Sequence, residues 1–143
     1  MTAAASGSRQ VSSPKDAQTV SRKKPVVLLV EDDSQMRQIF MLLMKRLRVQ
    51  AVHAASAEEG LLKARELGPA VIVTDINLPG LSGLQMIAQL KADPATAHVP
   101  VVAWSGNSDY QQPSLRAGAV DFISKSEKNI RLVQRVQEIL NHG

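Results

Sequence analysis

Four short apolar runs in the chain each lead into polar residues whose combination suits metal-assisted phosphoryl chemistry. VVLLV runs into Glu31, Asp32 and Asp33, VIVT into Asp75, VVAW into Ser105, and VDFIS into Lys125. A carboxylate can attack phosphorus and form an acyl phosphate when a nearby cation offsets the repulsion between the anion and the incoming phosphoryl group. Such a transfer also asks for neutralisation of charge on the equatorial oxygens, which a hydroxyl and an ammonium can share with that cation. Taken singly, each residue has a plainer role: an Asp after a strand caps the next helix, a Ser sits in a turn, and a Lys is solvated. Their joint occurrence after four separate apolar runs points to a site.

For these residues to meet, the apolar runs must be parallel strands whose carboxyl ends share one edge of a sheet. Glu31 and Asp32 would then face Asp75. Two like charges ~4 Å apart repel by about 4 kcal/mol at an effective dielectric of 20, and a hard divalent cation would relieve this. Oxygen donors alone, beside an open crevice, suit Mg2+ better than Zn2+, which would want His or Cys. His53, His98 and His142 lie at no metal-ligand spacing. They are expected away from these strand ends, in surface or packing roles.

Apolar strand-like runs alternate five times with helix-period segments, the pattern of a doubly wound α/β sheet. The strands are expected at Val26 to Val30, Val49 to His53, Ala70 to Thr74, Val99 to Trp104 and Val120 to Ser124. Met36, Ile39, Phe40, Leu43 and Leu47 give a first helix one apolar face, with Asp33 or Ser34 as its cap. Ser56 and Glu59 form a capping-box spacing before Leu61, Leu62 and Leu67, and Gly68 with Pro69 closes that second helix. A third helix carries Leu84, Ile87 and Leu90 and ends before Pro94, and a last one uses Ile130, Val133, Val136 and Leu140. Between them Pro113, which fits only the first turn of a helix, predicts a short fourth helix near Pro113 to Ala117 with residues 106 to 112 as a loop.

Length and charge narrow the function classes. The 143 residues suit one domain, and the absence of Cys excludes disulfides, thiolate metal sites and a Cys nucleophile. No run approaches the ~20 apolar residues of a membrane span, and the start lacks the features of a signal peptide, so a cytoplasmic protein without membrane contact is expected. Residues 1 to 25 hold five basic residues against Asp16, whereas twelve basic and twelve acidic residues follow Pro25. Residues 1–24 therefore read as a disordered basic tail and 25–143 as the domain. The tail has no aromatic residue for base stacking, and no nucleic-acid partner is expected.

From Pro25 to the C-terminus the motifs resemble the receiver domain of bacterial response regulators. VVLLVEDDSQMRQIF resembles the first strand, acidic pair and first helix of that family, and VIVTDINLPGLSGLQMI its phosphoacceptor strand and loop. VPVVAWSGNSD resembles its Ser/Thr strand and AGAVDFISKS its aromatic and Lys strand. The resemblance implies a flavodoxin-like, doubly wound, five-stranded parallel sheet in (βα)5 order, here with a short or irregular fourth helix. It implies Asp75 as phosphoacceptor, with Mg2+ held by Asp32, Asp75 and the backbone carbonyl of Asn77, and by Glu31 through water. It further implies Ser105 as switch hydroxyl, Phe122 as switch aromatic, Lys125 as phosphate-binding ammonium, and Asn77 and Asn107 as residues that modulate phosphate lifetime.

The implied partners are a sensor histidine kinase or a histidine phosphotransfer protein, and a downstream protein target reached by a monomer or weak dimer. No output domain is visible after the last helix, so a stand-alone receiver of the two-component, phosphorelay type is expected. It would be no enzyme beyond its own phosphorylation and dephosphorylation. Three positions depart from the family: Ser126 replaces the usual Pro after the Lys, which predicts a trans Lys125–Ser126 bond; the stretch from Ser105 to Gly118 is short; and Trp104 stands where a smaller apolar residue is common. An aspartate-nucleophile phosphatase is disfavoured because Asn77 stands where its second Asp would. A nucleotide-binding flavodoxin-like protein is disfavoured because acids after the first strand would repel a phosphate. The alternative that stays open is a receiver-fold binding module, or a sink for phosphoryl groups, with no phosphorylation-driven output.

Overall fold

The computed structural model describes residues 23–142, so residues 1–22 of the expected basic tail lie outside the described residues. Five strands and five helices alternate: β1 (Val26–Val30), α1 (Ser34–Met44), β2 (Gln50–Ala54), α2 (Ala57–Leu67), β3 (Val71–Thr74), α3 (Gly83–Ala92), β4 (Val101–Ser105), α4 (Gln111–Ala117), β5 (Asp121–Ser124) and α5 (Asn129–His142). All strand pairs are parallel, in the order β2-β1-β3-β4-β5. The order reverses between β1 and β3, and such a reversal opens a crevice at the carboxyl ends of the two strands. The doubly wound (βα)5 expectation holds.

Both faces of the sheet are buried, which is why β1, β3 and β4 read as unbroken apolar runs. On one face Leu28, Val30, Ile72, Val101, Ala103 and Phe122 pack with residues of α2, α3 and α4. On the other, Val27, Leu29, Val71, Val73, Val102, Trp104 and Ile123 pack with Phe40 and Met44 of α1 and Leu132 and Val136 of α5. Alternation along each strand therefore sorts neighbours such as Ala103 and Trp104 onto opposite faces.

Local packing shapes two of the helices. In α2 the fully buried residues are Ala57, Gly60 and Ala64, while Leu61 packs half-buried against the core and Leu62 is 63% exposed. The helix lies so close to the sheet that a Cβ on Gly60 would sit 2.8 Å from Val30 Cγ2, which leaves room only for small residues. The fourth helix starts two residues before Pro113 and is preceded by a 3-10 turn over Ser108–Tyr110, so residues 108 to 112 are not an open loop. Pro113 occupies the third helical position, where its missing N–H is one of the amides a helix start leaves unpaired. The turn itself is held by Asn107 Oδ1, which accepts from Asp109 N at 2.9 Å.

Candidate metal and phosphoryl site

The β1–β3 register pairs Val30 with Thr74, so Glu31 and Asp75 leave adjacent strands side by side. Asp75 N donates to Val30 O at 2.9 Å, and Glu31 N donates across to Ala54 O at 3.0 Å, so ladder bonds continue into the residues that carry the carboxylates. Asp32 follows, exposed, and Asp33 turns away to cap α1, its Oδ1 accepting from Gln35 N at 2.8 Å. One ligand oxygen each of Glu31, Asp32 and Asp75 lies within 4.8 Å of the others. Three carboxylates at that spacing supply a hard, all-oxygen donor set that fits a divalent cation.

Lys125, placed by β5, reaches into this cluster. Its Nζ donates to Glu31 Oε1 at 2.6 Å and to Asp75 Oδ2 at 3.0 Å. The charge repulsion expected between the carboxylates is thus offset in part by the protein's own ammonium. Burial pushes Glu31 above the usual carboxylate range; the Lys125 hydrogen bond opposes this and the Asp75 charge adds to it. Burial alone would lower Lys125, but the hydrogen bonds from its ammonium to Glu31 and Asp75 prevail and hold it above its ordinary value.

Asp75 is anchored on every side. Its Oδ1 accepts from Ile76 N at 2.7 Å and from Asn77 N at 3.4 Å, and its backbone carbonyl accepts from the Thr74 hydroxyl at 2.7 Å. Gly83 opens α3 directly against that carbonyl: a Cβ there would overlap Asp75 O and lie 2.7 Å from Ile76 Cα. Ser82 and Gln85 close a capping box around the same turn. Gly83 N also donates to Ile76 O at 2.9 Å, closing the turn that begins at Asp75.

Ser105 ends β4 and Lys125 directly follows β5, and Lys125 N donates to Ser105 O at 2.9 Å. The Ser105 hydroxyl is buried and accepts from Asn107 N at 3.2 Å, within its own loop. Phe122 pairs with Ala103 across β4 and β5 and is 7% exposed among the residues under α2, α3 and α4. Asn77 and Asn107 are exposed at the rim. After Lys125 the chain turns through Ser126, whose N donates to Ser124 Oγ at 3.1 Å, and no peptide bond among the described residues is cis. Trp104 is buried on the α1 side, as its packing role requires.

One expectation is overturned. His53 is not remote from the strand ends: β2 places it beside β1, and its Nε2 lies 2.7 Å from Glu31 O, with Arg37 NH1 3.4 Å from its Nδ1. The partner is a backbone carbonyl, so no side-chain spacing could have announced the contact. The contacts of Thr74 and Gly83 with the Asp75 carbonyl carry no sequence signal for the same reason, although Gly83 itself suits the tight turn after Asp75. His98 and His142 are exposed, as expected.

A family model described as response regulator receiver domain matches residues 27–137. Hybrid signal transduction histidine kinase D of Dictyostelium discoideum is 31% identical over 119 residues, an alignment covering 82% of this chain and 8% of that protein. Nodulation protein W of Bradyrhizobium diazoefficiens is 32% identical over 120 residues, covering 82% of this chain and 52% of that protein. The chain thus spans about half or less of the length of these curated relatives. Among solved structures, the receiver domain of a sensor histidine kinase from Pseudomonas aeruginosa PAO1, described with a magnesium ion coordinated in the active site cleft, superposes with a TM-score of 0.76. At 22% identity it covers 84% of this chain and 99% of that one, and the likeness is one of fold.

Proposed function

Because this chain belongs to the response regulator receiver domain family, we propose that it acts as a Mg2+-dependent phospho-aspartate switch. Asp75 takes the phosphoryl group from a histidine kinase or a histidine phosphotransfer protein, and the chain signals by protein contact. The observation that carries this reading is the meeting of Glu31, Asp32, Asp75 and Lys125 at one strand edge. The domain proper is residues 25–143, and its chemistry is confined to its own phosphorylation and dephosphorylation.

In transfer, a carboxylate oxygen of Asp75 forms the new bond to phosphorus while the bond from phosphorus to the donor's imidazole nitrogen breaks, its electron pair returning to the ring. The anchors on the Asp75 backbone hold that carboxylate at the end of β3, so little reorganisation accompanies the attack. Lys125 exchanges its Asp75 carboxylate contact for an oxygen of the phosphoryl group while keeping Glu31. Ser105 leaves Asn107 N and donates its hydroxyl to a second oxygen, and Phe122 adjusts beside it. Asp32, Asp75 and the Asn77 carbonyl would hold Mg2+, with Glu31 acting through water. When bound, the ion neutralises charge on the phosphoryl oxygens. Asn77 and Asn107, at the rim, set how readily water reaches the acyl phosphate.

The test is direct. Incubation with Mg2+ and a small phosphodonor should add the mass of one phosphoryl group, and Trp104, the sole tryptophan, should report Mg2+ binding by fluorescence. Asp75→Asn should remove the added mass. No Mg2+ response together with no mass increase in the wild type would sink the reading.

A further inference from the structure

Trp104 lies beneath the reactive edge in a way that core packing alone does not explain. The Lys125 ammonium sits 5.3 Å from the centroid of its ring, inside the ~6 Å reach of a cation–π contact. Phe40 of α1 tilts against that ring, with centroids 6.1 Å apart at 48°, and the indole is 1% exposed. The ring is thus held from below by one helix while offering a face to the ammonium above. Lys125 therefore has three partners in the site: Glu31, Asp75 and an aromatic face.

These partners differ in what a phosphoryl group does to them. Under the proposed function, on which this inference rests, Asp75 becomes an acyl phosphate and its carboxylate charge is spent in the new bond. Glu31 is shared with the cation. Only the Trp104 face is unaltered by metal and phosphoryl group alike. A lysine has a flexible four-carbon stem whose ordering costs rotamer entropy each time the ammonium is fixed. A partner that is present throughout lowers that cost and excludes water from one side of the ammonium.

We propose that Trp104 is a positioning residue for Lys125, holding the ammonium over the site by its ring face so that the phosphoryl group meets a cation already in place. A smaller aliphatic residue before Ser105 could fill the core but could not do this.

The single tryptophan makes the test clean. Replacing Trp104 with tryptophans bearing one, two and three ring fluorines leaves its shape nearly unchanged while draining the ring face of negative charge. Affinity for beryllofluoride, a phosphoryl mimic, is then measured calorimetrically in the presence of Mg2+. The expected result is a graded weakening, from about twofold with one fluorine to about tenfold with three. In parallel, Trp104→Phe and Trp104→Tyr should retain more affinity than Trp104→Leu. Tight binding that is flat across the fluorine series would overturn the role assigned to Trp104 while leaving the receiver function intact. No binding by the unfluorinated protein would instead overturn the receiver reading, and this inference with it.

Discussion

Lys125 and Glu31, 94 residues apart in sequence, form the shortest contact of the site: Nζ to Oε1 is 2.6 Å, against 3.0 Å from the same nitrogen to Asp75 Oδ2. The ammonium therefore leans toward the residue that is not the proposed phosphoacceptor. Glu31 is 1% exposed, so its charge relies on this pairing more than the exposed Asp32 does on any partner.

A pH dependence follows from Glu31. Burial raises its pKa above the ordinary 4.5, so in the window above that value the folded protein holds a proton that the unfolded chain has released. Stability contributed by this group is present at low pH and falls as pH rises through the raised pKa. Denaturant titrations of metal-free protein, wild type minus Glu31→Gln, should show that fall. A difference independent of pH, or one rising with pH, would contradict it.

Asp75→Asn should melt higher than the wild type without metal. Three carboxylates face one ammonium in the cluster, and the substitution removes one negative charge while its amide oxygen can still accept from Ile76 N. Mg2+ should then raise the melting temperature of the wild type more than that of the variant. A lower metal-free melting temperature for the variant would mean that the Lys125 contact to Asp75 outweighs the repulsion.

Gly83→Ala should cost about 1–3 kcal/mol and, under the proposed function, slow phosphorylation, because the added methyl overlaps the Asp75 carbonyl and must displace the loop that carries the proposed nucleophile. Gly106→Ala is the control, since nothing lies within 4 Å of a Cβ there. It should stay within about 0.5 kcal/mol of the wild type. Chemical denaturation and phosphodonor kinetics on both variants decide the matter.

His53→Ala should lose about 1 kcal/mol, one hydrogen bond to the carbonyl of Glu31. Arg37 can only donate, so the Nδ1 facing it accepts and Nε2 carries the proton in the neutral ring. Nitrogen chemical shifts of the imidazole should report that tautomer, and the opposite one would remove the contact to Glu31 O as a donor bond.

Most of the sheet was legible because its strands are buried on both faces: Val26–Val30 was located to the residue. The side-chain cluster was legible too, since each member follows an apolar run. What escaped were contacts whose partner is backbone, His53 to Glu31 O, Thr74 to Asp75 O and Gly83 against the same carbonyl, because a peptide group has no sequence letter. The tight seat of α2 had no such signal either: helix-to-sheet distance is set by Gly60 and the small residues around it, and larger residues then fall to the flanks. α4 begins two residues ahead of Pro113 because any position of a helix's first turn accepts a proline, whose missing N–H has no helical partner there.

Trp104 and Phe122 belong to opposite faces of the sheet, one packed toward α1 and α5 and the other toward α2, α3 and α4. Trp104 lies one residue pair, and Phe122 two, before the Ser105–Ser124 pair that closes the β4–β5 ladder, just ahead of Lys125. The crevice is thus backed by a different ring on each side of the sheet. Under the proposed function the ring toward α1 and α5 holds still beneath Lys125 while Phe122 adjusts, so the change at Asp75 would be read on the α4 side of the molecule.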